Sequence, residues 1–189
     1  MGKMLSEGVT LVEMMVTLAT IGVVLSIGVP AVKDLFATNR MSAATNDLVT
    51  TLHVARNEAV KGAEQVVICA STRWNDAEPD CTLDTLVDGW IVFVDINRNG
   101  ARDAGDELIL AHGPLAADIT LTSPATFVLF SSTGRPSIGQ SDIPDIDFLL
   151  CDGRGNTSTG GVTAGRLVTM TRTGRPQVIA KGNRVDCPG

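Results

Sequence analysis

An Asp/Asn-rich segment, DINRNGARDAGD at residues 95–106, has oxygen-bearing side chains at a spacing that could bind a cation. It fits the calcium-loop pattern D-x-N-x-N-G with an acidic residue at the twelfth position. The ligands would be the carbonyl of Ala101 and the side chains of Asp95, Asn97, Asn99, Asp103 and Asp106. The flanks are typical of strands rather than of the two helices of an EF-hand, and aspartates and asparagines also stabilise simple turns. We therefore expect a structural turn and keep a calcium site as the alternative.

The C-terminal part of the chain is a second candidate binding segment, because it is basic within an acidic protein. The formal net charge is −6, yet residues 151–189 contain six basic and two acidic residues. Basic side chains bind nucleic-acid phosphates in a salt-dependent manner. The candidates for DNA contacts are Arg172, Arg175, Lys181 and Arg184. Aromatic residues that stack on bases make up 4% of the sequence, so we favour a solvated positive face, or one that meets an acidic neighbouring subunit.

Four cysteines complete the set of chemically distinctive residues, and their even number indicates disulfides. They permit three pairings into two disulfides: Cys69, Cys81, Cys151 and Cys187. A local pairing would close the first two around a small loop and would tie the C-terminal tail to the last strands through the other two. Sequence alone leaves the pairing open.

Residues that would indicate catalysis or a transition-metal site are not clustered in the sequence. The two histidines, His53 and His112, are far from each other and from the cysteines, so we expect no zinc site. Neither a nucleophile–histidine–acid arrangement with recognisable context nor a phosphate-binding glycine loop occurs. We expect a protein that is not an enzyme and that has no resident cofactor.

The element that precedes all of these residues is an apolar segment of membrane length. Val9–Val29 would span about 31 Å as a helix at roughly 1.5 Å per residue, close to the ~30 Å hydrocarbon thickness of a bilayer. Pro30 follows, and apolar residues then recur at spacings of three and four as far as Gly62. We predict one long helix over 9–62 whose first part, about 9–29, spans the membrane and is retained. Pro30 would bend or locally melt this helix.

Glu13 is an unusual residue within the apolar segment, because a carboxylate in the bilayer is costly. In an uncut chain it would lie near the headgroups. If the chain is cut after Gly8, Glu13 becomes the fifth residue and lies close to the new amino terminus and to the positive end of the helix dipole. An ion pair with the terminus of a neighbouring copy would then make Glu13 an assembly signal.

The start of the chain resembles the class III signal of type IV pilins and type II secretion pseudopilins. The resemblance rests on the charged leader, on Gly8, and on VTLVEMMVTLATIGVVLSIGVP from Val9 onward. It implies that residues 1–8 are a leader peptide, that prepilin peptidase cuts between Gly8 and Val9, and that Val9 is N-methylated. It also implies that Glu13 and Pro30 belong to the assembly signal.

The rest of the chain resembles the FimT/FimU and GspH branch of minor pilins and pseudopilins. The similar segments are LHVARNEAVKGAEQVVICAS at 52–71, DGWIVFVDINRNGARDAGDELI at 88–109 and the C-terminal CDGRG…DC at 151–187. The resemblance implies an α+β type IV pilin fold, in which a long N-terminal helix packs on an antiparallel β-sandwich-like head at 63–189 with two disulfides. FimT-type DNA receptors carry Gly-Arg-x-Arg near the C terminus, where this sequence has Gly174, Arg175, Pro176 and Gln177.

The function that this resemblance implies is that of a minor type IV pilin, a structural subunit that enters the pilus and helps prime its assembly at the tip. The alternatives are a DNA-binding pilin for natural transformation and a GspH-type pseudopilin of a type II secretion system. The implied partners are other minor and major pilins, prepilin peptidase, the inner-membrane assembly platform and, before assembly, the lipid bilayer. The implied location is the bacterial inner membrane, single-pass with the head in the periplasm, and then the extracellular pilus.

Short apolar runs bounded by Gly, Pro, Asn or Asp predict the strands of the head. The predicted strands are Val66–Ala70, Trp90–Ile96, Leu108–Ala111, Phe127–Phe130, Ile146–Cys151, Arg166–Thr171 and Val178–Ala180. Two near-copies, SSTGRPS at 131–137 and TRTGRPQ at 171–177, predict hairpin turns in which glycine supplies a positive φ.

Overall fold

The computed structural model describes residues 9–82, 85–138, 145–159, 162–180 and 184–187. The leader with Gly8, and Lys181 among the basic candidates, lie outside the described residues. The chain divides into two compact units, Met1–Asn39 and Arg40–Gly189.

The first unit is formed by the N-terminal part of helix α1, which runs from Leu11 to Gly62. Thr10 begins the helix: its hydroxyl oxygen accepts a hydrogen bond from the backbone N–H of Glu13 at 3.2 Å. The large apolar side chains from Val9 to Phe36 that the structure describes are exposed. In the described part of the chain, α1 is the one helix whose length and apolar composition would allow it to cross a membrane.

Pro30 was expected to bend or locally melt the helix; the helix continues through this residue, so the second alternative, local melting, was wrong. A proline removes one backbone hydrogen bond, and the bonds of the neighbouring turns hold the helical backbone on both sides.

The second unit packs the last part of α1 against two antiparallel sheets. The helix buries a stripe with the three- and four-residue spacing of an amphipathic helix, formed by Met41, Ala44, Leu48, Leu52, Ala55 and Ala59. These side chains belong to one hydrophobic core with the inner faces of both sheets. The α+β fold with antiparallel sheets is therefore confirmed.

The strands follow the helix in chain order, and most of them form two sheets. Their bounds are β1 Val66–Ala70, β2 Trp90–Val94, β3 Leu108–His112, β4 Ile119–Thr122, β5 Phe127–Phe130, β6 Pro136–Ser137, β7 Asp145–Asp152, β8 Ser158–Thr159, β9 Val162–Thr163, β10 Arg166–Thr171 and β11 Pro176–Ile179. The first sheet has the order β3-β2-β1-β5-β6 and the second has the order β11-β10-β7-β4, while β8 and β9 pair separately.

A disulfide lies on the outer side of each main sheet. Cys69–Cys81 joins β1 to the following loop, and its sulfurs cluster with Val67, Ile91 and Phe93, which face away from the helix. Cys151–Cys187 joins β7 to the C-terminal tail, beside Leu167 and Val185. The structure thus has the local pairing of the cysteines. Each disulfide fixes a chain segment over apolar residues that would otherwise face water.

Candidate functional site

The segment 95–107, which we term the Asx loop, connects β2 to β3 and is organised around the Asp95 carboxylate. This carboxylate is buried, and it accepts hydrogen bonds from the Gly100 N–H at 2.9 Å, the Asn99 N–H at 3.2 Å and the side-chain amide of Gln65 at 2.9 Å. Gly100 has a φ of 78°, and Arg98 has a φ of 60°. The loop is therefore a compact turn in which the buried Asp95 carboxylate holds two backbone N–H groups.

Asp103 and Asp106 also bind groups of the Asx loop itself. The side-chain amides of Asn97 and Asn99 each donate to Asp103 Oδ2 at 2.7 Å. Asp106 accepts from the backbone N–H of Asp103 at 2.9 Å and from that of Ile96 at 3.2 Å. The five side chains predicted as calcium ligands are therefore brought together, and hydrogen bonds within the loop account for the turn. Within the described residues, no group of three or more His, Cys, Asp or Glu side chains could hold a metal ion.

The two near-copy segments form matching hairpin turns, residues 131–135 and 171–175, which we term the paired turns. In each, the glycine N–H donates a hydrogen bond to the carbonyl oxygen of the first residue of the turn. Gly134 donates to Ser131 at 2.7 Å, and Gly174 donates to Thr171 at 2.8 Å. Both glycines have a φ of 74°. The prediction of hairpin turns with a positive φ at glycine is thus confirmed.

The paired turns contact each other and the helix. A Cβ atom added to Gly174 would collide with the carbonyl oxygen of Gly134 and with the Arg56 side chain. Arg56, on α1, donates from Nε to the same carbonyl at 3.3 Å. The sequence showed the repeat, but it did not show that both copies meet at one place.

The basic candidates for DNA contacts are in different situations. Arg172 and Arg175 lie in the second paired turn and are exposed. Arg184 forms an ion pair with Asp147 on β7 at 3.1 Å, so part of its charge is neutralised within the chain. Arg135, in the first paired turn, is exposed beside them, and our sequence-based candidates did not include it. The internal repeat was the signal that could have identified it.

A buried ion pair lies at the C-terminal end of β7. Asp152 binds Arg154 at 2.6 Å, and its side chain is 3% exposed. Burial raises the pKa of the Asp152 carboxyl, but the hydrogen bonds and the charge of Arg154 lower it more, so that it lies below its usual value near 3.8. Burial and the nearby charge of Arg154 together lower the pKa of the Arg166 guanidinium. This cluster stabilises the turn that follows β7.

A small cleft lies between α1, β3 and the segment before β4, and our sequence reasoning had not identified it. The His112 ring stacks on the Trp90 ring, with the centroids 4.0 Å apart, and its Nε2 is 3.5 Å from Asp47. Arg40 forms an ion pair with Asp118 at 3.1 Å across the same cleft. The accessible volume is about 140 Å³. The Trp90 indole N–H donates to Thr51 on the helix at 3.1 Å, so this cluster fastens the helix to the first sheet.

The N-terminal candidates lie on an exposed helix start. Val9, 67% exposed, precedes the helix, and Glu13 lies in its first turn. Thr10 and Glu13 occupy the first and last positions of the Thr-x-x-Glu pattern of a capping box, a signal that sequence reasoning missed. The Glu13 carboxylate is therefore placed at the positive end of the helix dipole.

Comparison with protein families gives a match over most of the second unit. Residues 44–179 match the model of a family described as type II transport protein GspH. A search of curated proteins found no match for this chain.

Two solved structures show the extent of structural similarity. The minor pilin FimU of Pseudomonas aeruginosa is 22% identical with a TM-score of 0.52, and the alignment covers 75% of this chain and 89% of that one. The minor pseudopilin EpsH of Vibrio cholerae is 10% identical with a TM-score of 0.49, over 75% of this chain and 97% of that one. The similarity to FimU supports the fold of the chain.

Proposed function

The chain belongs to the GspH family of type II transport proteins, a family of pilin-like structural subunits rather than enzymes, and from that premise we propose that it is a minor type IV pilin. It would enter the pilus as a structural subunit and help prime assembly at the tip. Its partners would be other minor and major pilins and the inner-membrane assembly platform.

The observation that carries this proposal is the N-terminal part of α1. Its large apolar side chains are exposed over a length that matches a bilayer. An exposed apolar helix needs lipid or other helices around it. Lipid surrounds the helix while it is a single-pass anchor before assembly. Other helices surround it in the fibre core afterwards.

Glu13 would act in assembly by pairing with the amino terminus of a neighbouring subunit. This requires that prepilin peptidase cuts between Gly8 and Val9 and that Val9, N-methylated, becomes the first residue. A carboxylate among lipid-facing residues is costly unless it is paired, so pairing favours the assembled state over the isolated anchor.

The two disulfides support a location outside the cytoplasm for the head. Disulfides persist in oxidising compartments such as the periplasm. We propose that the protein first spans the bacterial inner membrane once with its head in the periplasm, and later becomes part of the extracellular pilus.

The test is the replacement of Glu13 by Leu or by Gln in the chromosomal copy of the gene. We expect normal cleavage of the leader, but incorporation into sheared fibres reduced at least tenfold, which corresponds to about 1.4 kcal/mol. Quantitative immunoblots of the fibre and membrane fractions measure both. A Glu13 variant that enters fibres at the wild-type level would overturn the role of this carboxylate.

The matched control is Thr17→Leu, which changes another exposed polar residue of the same helix. Thr17 donates its hydroxyl to the Met14 carbonyl and carries no charge. The control should be cut and incorporated like the wild type, because a hydroxyl that bonds its own helix is readily replaced in lipid.

A second candidate function, a pseudopilin of a type II secretion system, is favoured by the GspH family match. Deletion of the gene distinguishes the two. Loss of surface pili and of pilus-dependent motility with normal protein export identifies a minor pilin. Loss of export with normal pili identifies a pseudopilin.

A further inference from the structure

The edge strands of the two main sheets differ in how well they are protected against pairing with another chain. A sheet edge presents unpaired backbone N–H and C=O groups, and proteins usually guard it with very short strands, prolines or charged residues. β6 has two residues, and β6 and β11 each begin with a proline. The exposed side chains of β4 are threonines, whereas those of β3 are Leu108 and Ala111. Among the described edge strands, β3 is therefore the least protected.

The outer side of β3 has backbone hydrogen-bonding groups that the sheet does not use. The strand has five residues, with neither proline, lysine nor an acid, and it pairs with β2 on one side only. Outside that ladder, Leu108–His112 forms no backbone–backbone hydrogen bond within the part of the chain that the structure describes. A bulge interrupts the ladder near Ile109, and the register from Leu110 to His112 is regular. This regular part can receive a further strand.

Carboxylates flank both ends of this edge. Glu107 is exposed and directly precedes β3. At the other end, the Asp47 carboxylate of α1 lies 3.5 Å from Nε2 of His112 and is 49% exposed. A second copy of β3 paired in the antiparallel direction would place its Asp47 opposite Glu107, and a parallel copy would place the two Glu107 carboxylates side by side. Like charges at facing positions disfavour both arrangements, so the edge favours a different chain.

We propose that β3 binds an extended segment of another, non-identical pilin, which adds one strand to the first sheet. Backbone hydrogen bonds along the part from Leu110 to His112 hold the segment, and basic residues at its ends face Glu107 and Asp47. A sheet edge receives a single strand, so the contact joins the chain to one neighbour of a different kind. The inference rests on the proposed function as a minor pilin among other pilins, and it names the surface of the head that meets one of them.

The side chains of the regular part leave its backbone accessible. Leu110 is half-buried and packs against the core, and the His112 ring stacks on Trp90. Ala111 lies between them and is exposed, and its short side chain does not obstruct an approaching strand. Because the first sheet already holds this edge in place, little conformational entropy is lost on its side when a strand is added.

The first test places a guarding charge on the edge. Ala111→Lys in the chromosomal gene should lower incorporation into sheared fibres by about tenfold or more, because an edge lysine opposes strand addition and repels a basic segment. The matched control is Thr122→Lys, which puts the same charge on an exposed residue of the edge strand β4 and should enter fibres like the wild type. Equal incorporation of the two variants, whether normal or reduced, would overturn the proposal. Thermal unfolding of each full chain in detergent checks that it is folded.

The second test identifies the occupant and adds no charge to the edge. The photo-crosslinking amino acid p-benzoylphenylalanine replaces Ala111 in one strain and Thr122 in another, and mass spectrometry maps the crosslinked peptides from isolated fibres. We expect about tenfold more crosslinking from position 111, to an extended segment of a different pilin that contains a lysine or an arginine. Crosslinking to a second copy of this chain, to the N-terminal helix of another pilin, or at no more than the level of position 122 would contradict strand addition at β3.

A charge reversal tests the basic character of the partner segment. Glu107→Lys should lower incorporation by about threefold or more, because the basic end of the segment would then face a like charge. Glu64→Lys reverses another exposed acid away from β3 and should have no effect. Equal incorporation of these two variants would show that the partner is not selected by its charge.

The outcome is separable from that of the proposed function. If Ala111→Lys enters fibres like the wild type while Glu13→Leu does not, the fibre role is retained and strand addition at β3 is wrong. If the wild-type chain itself is absent from fibres, the proposed function is wrong.

Discussion

At the scale of single residues, stability depends on a few buried polar groups and closely packed glycines. Asp152 is buried and bound to Arg154, whereas the Arg40–Asp118 pair is exposed, with side chains 51% and 38% accessible. Water screens the exposed pair, so it contributes little. Removing the Asp152 carboxylate from the buried pair is costly, because the pair is shielded from water.

Asp152→Asn should lower the free energy of unfolding by about 1–3 kcal/mol at neutral pH. Because the pKa of Asp152 is lowered on folding from its usual value near 3.8, the ionised carboxylate stabilises the fold above that pH. This stabilisation is lost as the pH falls through the folded-state pKa. Chemical denaturation between neutral pH and about pH 2.5 should therefore show a difference between wild type and variant that shrinks below about pH 4. Asp118→Asn is the control, and a difference that stays constant with pH would contradict the assignment.

Gly174→Ala should destabilise the head by roughly 1–3 kcal/mol. The new Cβ would collide with the carbonyl oxygen of Gly134, and the φ of 74° at residue 174 is unfavourable for alanine. Gly153→Ala is the control, since a Cβ there meets no atom within 4 Å. Thermal unfolding of both variants checks this. Equal stability of the two variants would contradict this prediction and would show that the contact between the paired turns contributes little to the stability of the head.

At the scale of elements, strands were predictable where apolar runs are long and less so at the sheet edges. Val66–Ala70, Phe127–Phe130 and Arg166–Thr171 were predicted with the observed bounds. β4, Ile119–Thr122, was missed, although its residues alternate between buried and exposed. Its four residues carry only two apolar side chains, and its strand conformation depends on pairing with β7, a contact that is distant in sequence.

The Asx loop should not respond to calcium. The carboxylates of Asp95, Asp103 and Asp106 already accept hydrogen bonds from the loop, so about 5 mM calcium should change the melting temperature of the wild type by less than about 1 °C. A site with a dissociation constant of about 1 mM would instead add about 1 kcal/mol under these conditions. Asp95→Ala should destabilise the protein equally with and without calcium. A calcium-dependent stabilisation that disappears in Asp95→Ala would establish a calcium site.

At the scale of the whole molecule, the charge distribution decides which large partners can bind. The protein is acidic overall, and three of its exposed arginines, Arg135, Arg172 and Arg175, lie in the paired turns. The attraction from a few arginines on an acidic protein is sufficient for one specific protein contact. It is too weak to hold the many phosphates along a nucleic acid.

Duplex-DNA binding by the full chain should therefore be weak and lost at physiological salt. A salt series with wild type and with Arg172→Ala plus Arg175→Ala measures it. Saturable binding with a steep dependence of affinity on salt, abolished in the double variant, would identify a DNA-uptake pilin. Absence of binding at low salt would leave the structural role of a minor pilin.

The sequence by itself determined the long apolar helix, the antiparallel strands of the head, the hairpin turns and the resemblance to pilins, because periodicity, glycines and the N-terminal motif are local signals. The tertiary structure decided the cysteine pairing, the contact between the paired turns and the stacking of His112 on Trp90. Each of these depends on residues that are distant along the chain and meet only when both sheets pack on the helix. The neighbourhood of Asp145 and Asp147 with the C-terminal arginines arises in the same way, through strand pairing that no local pattern encodes.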